Sequence, residues 1–161
     1  MEDSLGKTFA IICSVFVLIY LPLLCLALHT DNISQSKIDN SVTKFVDDVR
    51  STGKITADKY EAFCREIDAC EKLCKIEMIH SSQQSVENDE LYFSYIEKSE
   101  ILDTIYTVNV DYKMSKGDYL TVKVYNTEPT LATRLYRFLI PNYNESGKSL
   151  FVVYGGYILN D

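Results

Sequence analysis

The chain has no tryptophan, only two histidines and none of the short motifs that mark well-known catalytic sites. A glycine-rich phosphate loop, HExxH, G-x-S-x-G and CxxC are all absent from the sequence. The adjacent Asp47 and Asp48 point in different directions on a helix, so they form no acid–base pair. We therefore predict that the protein is not an enzyme and has no catalytic, cofactor-binding or metal-ligating residue.

Basic residues are also scarce: 16 Lys and Arg stand against 23 Asp and Glu, which gives a net charge of −7. An acidic chain repels phosphate backbones, so this balance argues against nucleic acid as a partner, and likewise against anionic lipid head groups. No small-molecule substrate is expected, because nothing in the sequence resembles a substrate site. Proteins and the membrane interior remain as candidate partners.

Charge is missing altogether from Thr8 to Leu28, which reads TFAIICSVFVLIYLPLLCLAL. About 20 apolar residues in a helix cross the hydrocarbon core of a bilayer. A cleaved signal peptide is the alternative, but it would have a more basic start and a shorter apolar run. We predict an uncut transmembrane helix at residues 8–28 after a short N-terminal segment, residues 1–7. Its representative anchor residues are Phe9, Ile12, Val17, Leu21 and Leu24.

Orientation follows from the few charges near the span. Lys7 and the terminal amine precede it, whereas His29 and Asp31 follow it. By the positive-inside rule this arrangement predicts a cytoplasmic N-terminus and an extracytoplasmic C-terminal domain. The expected location is therefore the cell membrane, with a single pass.

Neither proline nor glycine occurs between Pro22 and Gly53. Apolar residues after the span recur at steps of three and four, which predicts one face of an amphipathic helix at residues 29–54. The predicted packing face consists of Ile38, Val42, Phe45 and Val49. Since no proline or glycine interrupts the chain between the span and Gly53, we expect the span and this extension to form one rod. The polar stretch His29 to Ser36 is the place at which the rod could break.

Residues 55–161 are expected to form one small extracytoplasmic α+β domain, an antiparallel sheet with packed helices. Thr56 suits the cap of a second helix. Alternation from Cys74 to His80 predicts a strand, and residues 108–112 and 120–124 predict a hairpin around the turn at Gly117. Leu131, Leu135, Phe138 and Leu139 predict the inner face of a further helix. The apolar residues 150–159 predict an interior strand, with a close backbone approach or bulge at Gly155 and Gly156.

The five cysteines do not fix a redox state. Cys13 and Cys25 lie in the span, while Cys64, Cys70 and Cys74 precede His80 at spacings that match no established zinc pattern. A Cys70–Cys74 disulfide is one alternative in an oxidising compartment, although it leaves an odd thiol. Buried thiols are the interpretation we favour.

A single membrane helix, an amphipathic extension and a small α+β domain together resemble type IV pilins and pseudopilins. The segment Ser41 to Phe63 is similar to minor, TadE-like subunits of tight-adherence (Flp) pili, in which a helix, a T-G-x-I-T turn and a helix beginning near a Tyr recur. These positions are Thr52, Gly53, Ile55, Thr56 and Tyr60. The resemblance implies a pilin-like fold and, as partners, the membrane and other pilin-like or secretion-apparatus proteins.

Gly6 is the candidate processing site that this resemblance implies, since prepilins are cut after a Gly. Their mature fifth residue is typically Glu, whereas this chain has Ile11. That departure favours a minor or accessory subunit that works in assembly over a shaft subunit. Two alternatives remain: a membrane-tethered binding module for a small ligand or cell-wall component, and a secreted soluble protein with a cleaved leader.

Overall fold

The computed structural model describes residues 2–70, 72–85, 91–140 and 150–160. A long N-terminal apolar helix leads into a small antiparallel sheet with helices, which confirms the α+β class. The elements are α1 (Glu2–Thr52), β1 (Lys54–Ile55), α2 (Ala57–Asp68), β2 (Cys74–Ser85), β3 (Leu91–Glu97), α3 (Lys98–Tyr106), β4 (Tyr112–Lys113), β5 (Tyr119–Asn126), α4 (Leu131–Leu139) and β6 (Phe151–Tyr157).

Helix α1 is one continuous helix of 51 residues with Pro22 inside it. At 1.5 Å per residue it is about 76 Å long, so the expected single rod is confirmed. It ends where predicted from the sequence: Gly53 adopts φ +63°, and its N–H donates to the carbonyl of Val49 at 2.7 Å. Glycine reaches this left-handed conformation without steric cost, which lets the chain turn sharply into β1.

The four-stranded sheet has the order β3-β2-β5-β6, and every neighbouring pair is antiparallel. Side chains alternate between its two faces, as the period of two in the sequence predicts. Met78 and His80 of β2 lie opposite Val122 and Leu120 of β5 on the buried face. The predicted strand from Cys74 to His80 is therefore confirmed, and it continues to Ser85.

Helix α1 lies against the buried face of the sheet and along β6, and α2 packs beside α1. The rings of Phe45 and Phe63 stack with centroids 4.5 Å apart. Thr56 caps α2 as predicted, because its hydroxyl accepts a hydrogen bond from the N–H of Lys59 at 3.3 Å. The core thus lies between the second half of α1 and the sheet.

Two predictions about strands are wrong. Residues 108–111 are irregular, and β4 pairs with β1 rather than forming a hairpin with β5. The turn at Gly117 is present. Strand β6 is an edge strand rather than an interior one, and it is apolar because α1 covers one of its faces. Gly155 does mark a close approach, since a Cβ there would lie 2.6 Å from the backbone oxygen of Leu120.

Candidate functional site

The most conspicuous surface of the molecule is the uncovered apolar first half of α1. Of the predicted anchor residues, Phe9 is 70% exposed and Ile12 61%; Val17 and Leu21 are exposed and Leu24 is half-buried. Within the described residues, α1 is long and apolar enough to cross a membrane, and 11% of its most apolar window is buried. Such low burial distinguishes it from the core helix of a soluble protein, whereas a signal sequence shares this property.

The predicted packing face of the extension lies in the protein's own core. Ile38, Val42, Phe45 and Val49 are all buried beneath the sheet and against α2. These four side chains are consequently not a surface for other helices. A partner that contacts α1 would meet its first half or its outward side.

Polar contacts mark the point at which α1 changes from uncovered to covered. Lys72 Nζ lies 3.2 Å from Oδ1 of Asp31, and both side chains are largely buried. One turn later, the side chain of Gln35 donates to the carbonyl of Phe151 and accepts from its N–H, at 3.1 and 3.2 Å. These bonds pair the start of β6, so the sheet of the domain is attached to α1 from about residue 31 onward.

Helix α4 lies against the span itself. The hydroxyl of Tyr20 donates to the carbonyl of Leu135 at 2.7 Å, and Tyr20 is buried. Phe16 stacks on Tyr20 with centroids 5.5 Å apart and lies 6.4 Å from the ring of Phe138. The second half of the predicted span therefore has one side covered by α4.

The prediction for the inner face of α4 is wrong. Ala132 and Thr133 are its buried residues, whereas Leu131 is 51% and Phe138 70% exposed. Small residues allow the α4 backbone to come close to the domain, and this leaves the large apolar side chains outside. The sequence did contain one signal for the contact: Tyr20 is a polar side chain in the middle of the span, and such a hydroxyl usually finds a partner when buried.

A buried polar cluster links β2 to β4 and to the turn before β5. His80 Nδ1 lies 2.7 Å from the hydroxyl of Tyr112. His80 Nε2 lies 3.0 Å from Oδ2 of Asp118 without the alignment of a hydrogen bond. Oδ2 of Asp118 accepts the backbone N–H of Ser115 at 2.7 Å. Because all three side chains are buried, the cluster holds elements together rather than meeting a substrate.

Burial raises the pKa of Tyr112 to about 12, and the negative charges of Asp118 and Glu100 add to the shift. Loss of its proton would place a phenolate beside the carboxylate of Asp118 in a site of low polarity. Tyr112 therefore stays protonated at neutral pH, and its hydroxyl shares a hydrogen bond with Nδ1 of His80.

The five cysteines are free thiols in this structure. Cys70 is buried and Cys74 is half-buried, and burial raises the pKa of both thiols. Buried protonated thiols behave as small apolar side chains, in line with the interpretation favoured from the sequence. The Cys70–Cys74 disulfide is not formed here and stays a prediction.

The outer face of the sheet carries an aromatic row, in which one residue of each strand takes part and three of the four are tyrosines. Tyr95, Ser81, Tyr119 and Tyr157 are successive register partners. Tyr119 and Tyr157 meet edge to face with centroids 4.9 Å apart. Together with Phe93 and Gly117, these residues line a shallow cleft of about 320 Å³.

Among the described residues, no group of three or more His, Cys, Asp or Glu side chains converges as metal ligands would. Gly6 lies within α1, and no heavy atom lies within 4 Å of the position its Cβ would take. Comparison of the chain with protein-family models, with curated proteins and with solved structures finds no match. The function is therefore inferred from the geometry and from the resemblance described in the sequence analysis.

Proposed function

We propose that the protein is a membrane-anchored, minor pilin-like subunit that acts in the assembly of a pilus or secretion apparatus through protein–protein contacts. The observation that carries the anchoring is the uncovered apolar surface on the first half of α1. Phe9, Leu18 and Ile19 are each more than 60% exposed. In water this surface would associate or aggregate, whereas lipid and other apolar helices would cover it favourably.

The pilin-like part of the proposal rests on the junction that follows α1. Gly53 turns the chain, Thr56 caps α2, and Ile55 and Tyr60 are buried. The residues that carry the resemblance to TadE-like subunits thus act together, because they reverse the chain so that α2 packs on α1. That these residues act together supports a junction folded like that of TadE-like subunits. The assembly role is proposed because of the resemblance to those subunits.

Partner contacts would form along the outward side of α1, because its inward side is occupied by the domain. A photo-reactive benzoylphenylalanine at Leu18, which is 69% exposed, should crosslink to other membrane helices in the native host. The matched control is the same residue at Ala27, which is 3% exposed and faces the domain. We expect intermolecular adducts from position 18 and few from position 27.

The adducts and the proteins that co-purify in mild detergent are then identified by mass spectrometry. Recovery of pilin-like or secretion-apparatus components supports the assembly role. Recovery of the protein alone, with no adduct from position 18, contradicts that role even when the protein is in the membrane fraction.

The aromatic row on the sheet favours a second candidate function, a membrane-tethered binding module for a small ligand or cell-wall component. Tyr95 and Tyr157 are 65% and 61% exposed, and flat rings suit stacking against a sugar or another ring. The cleft is at the small end of the range for ligand pockets. A cell-wall oligosaccharide is the probe that this surface suggests.

Thermal unfolding with soluble cell-wall oligosaccharides tests this candidate. A ligand at 100 times its Kd adds about 2.7 kcal/mol to stability, and Tyr157→Ala should remove that gain. Val153→Ala is the matched control, because Val153 is an exposed outer-face residue on the same strand. No stabilisation by any probe, or equal stabilisation of both variants, contradicts the binding role.

A further inference from the structure

Helix α4 carries an apolar surface that the domain does not use. Leu131, Phe138 and Leu139 are 51%, 70% and 49% exposed, and Ile140 just beyond the helix is 51% exposed. Three of the four lie together at the C-terminal end, which we call the α4 tip (Phe138, Leu139, Ile140). Exposed apolar residues scattered singly need no explanation, but adjacent ones indicate a surface that something covers.

The α4 tip is continuous with the uncovered surface of α1. Phe138 contacts Phe16, and Phe16 stacks on Tyr20. Phe16 lies 12 residues before Leu28, which is about 18 Å along the helix axis. When residues 8–28 occupy a bilayer, a side chain beside Phe16 therefore lies at membrane depth. The same lipid that surrounds α1 would reach the tip without any further change in the protein.

Two positive charges lie on α4 beside the tip. Arg134 and Arg137 are exposed, and no acidic residue occurs within Leu131–Leu139. Arg134 lies 3.5 Å from Oε2 of Glu128. Leu135 bonds to Tyr20, which lies about 12 Å along the helix before Leu28, so both arginines lie below the phosphate level when residues 8–28 occupy a bilayer. Their long stems can lie along apolar surface and carry the guanidinium groups toward the polar side of the membrane.

We propose that the α4 tip inserts into the acyl chains of the membrane directly beside α1, near the middle of the hydrocarbon core. This rests on the membrane anchoring of the proposed function. Helix α4 is then a second membrane contact that fixes the domain's tilt and height above the lipid. A second copy of the chain is the competing occupant of this surface.

The absence of tryptophan from the chain provides a clean test. The full chain is reconstituted in phosphatidylcholine vesicles with brominated acyl chains, which quench tryptophan on contact. Three single-Trp variants are compared: Phe138→Trp in the tip, Phe9→Trp in the span and Tyr106→Trp as the control. Tyr106 is 49% exposed and lies near Glu61 of α2, away from the span.

We expect brominated lipid to lower the emission of Trp at positions 138 and 9 by about twofold or more, and to leave position 106 unchanged. Adding Arg137→Glu to the Phe138→Trp variant should weaken quenching at position 138, because a carboxylate beside the tip opposes insertion. The result at position 9 should stay the same.

Each other outcome has a distinct meaning. Quenching at position 9 without quenching at position 138 overturns this inference and leaves the anchor standing. In that case, blue-shifted emission at position 138 indicates that protein, such as a second copy, covers the tip, and red-shifted emission indicates water. Absence of quenching at both positions overturns the anchor as well.

Discussion

Gly53 shows how much of this architecture depends on single residues. Its φ of +63° ends α1 and directs the chain into β1, and the side chain of Asn160 occupies the space where a Cβ would be. Asn160 also donates to the carbonyl of Thr52 at 3.5 Å. The missing side chain of Gly53 therefore lets Asn160, near the C-terminal end of the domain, pack against the end of α1.

We expect Gly53→Ala to lower the free energy of unfolding by about 1–2 kcal/mol, because alanine is strained at positive φ and its Cβ displaces Asn160. Chemical unfolding of the full chain in detergent measures this loss. Gly117→Ala is the matched control, since Gly117 has φ +90° and open space around a Cβ. In an Asn160→Ala background the cost of Gly53→Ala should fall, whereas the cost of Gly117→Ala should stay the same. An unchanged cost of Gly53→Ala in that background contradicts the packing argument.

Tyr112 makes the stability of the domain sensitive to alkaline pH. Its pKa is raised to about 12 in the folded protein from an ordinary value of 10.0. Between these values the unfolded chain loses the proton first, so stability is full below pH 10 and falls as the pH rises towards about 12. A gap of two pKa units corresponds to about 3 kcal/mol from this group. Unfolding in urea from pH 9 to pH 12 measures the slope.

Tyr112→Phe is the comparison for that pH series. The variant loses the hydrogen bond to His80, so it should be less stable at pH 9, yet its stability should fall less steeply above pH 10. A slope identical to that of the unsubstituted protein would show that Tyr112 does not carry the effect.

At the scale of elements, α4 and β6 show how surroundings decide the use of an apolar pattern. Helix α4 has the spacing of a core-facing helix, but its large side chains face outward beside α1. Strand β6 has the composition of an interior strand, but it lies at an edge that α1 covers. There Arg50 Nε donates to the carbonyl of Tyr157 at 3.1 Å. Bonds from Gln35 and Arg50 to the backbone of β6 hinder the pairing of this edge with a further strand.

The docking of α4 on α1 depends on the Tyr20 hydroxyl. Tyr20→Phe keeps the ring beside Phe16 and removes the 2.7 Å bond to Leu135. The expected loss is about 1 kcal/mol for that contact. Amides of α4 should exchange with deuterium several-fold faster, whereas those of α2 keep their protection.

Tyr95→Phe is the control for Tyr20→Phe, because Tyr95 is 65% exposed on the far face of the sheet. It should leave exchange in α4 unchanged. Unaltered α4 exchange in Tyr20→Phe would mean that the helix is held by its packing alone.

At the scale of the whole molecule, α1 divides the protein into two parts with opposite solvent requirements. Residues from about 31 to 52 stabilise a core, whereas the first half of the helix leaves apolar side chains uncovered. A cut near Ala27 would remove Phe16 and Tyr20, and α4 would lose its contacts with the span. Such a cut would therefore leave that side of α4 uncovered.

Mass spectrometry of the mature N-terminus tests whether the span is retained. We expect a start at Met1, with the whole of α1 present. A start at Lys7 supports prepilin processing after Gly6 and still leaves the anchor in place. A start near Leu28 contradicts the anchored function and supports a secreted protein.

Gly6→Ala separates processing from folding in the same experiment. A Cβ at position 6 meets no heavy atom within 4 Å, so the variant should fold and unfold like the unsubstituted chain. If Lys7 is the natural start, this substitution should slow the cut; an unchanged rate would point to another site.

Local patterns in the sequence account for much of this fold. The length of the rod, the end of α1 at Gly53, the cap at Thr56 and the faces of β2 and β5 all follow from neighbours within a few residues. Hydrophobic periodicity and capping act over such distances, which makes these features predictable. The buried faces of Ile38 to Val49 and of Met78 and His80 are examples.

By itself the sequence determined an acidic chain with one long apolar helix, followed by a small α+β domain. Only the tertiary structure decided which strands pair, that β6 is an edge, that the packing face of α1 is internal and that the α4 tip is exposed. Tyr20 and Leu135 are 115 residues apart, and no local pattern links residues at that separation. Such contacts depend on how all the elements pack around one core. The second half of α1 and the sheet already fill that core, so the large side chains of α4 face outward.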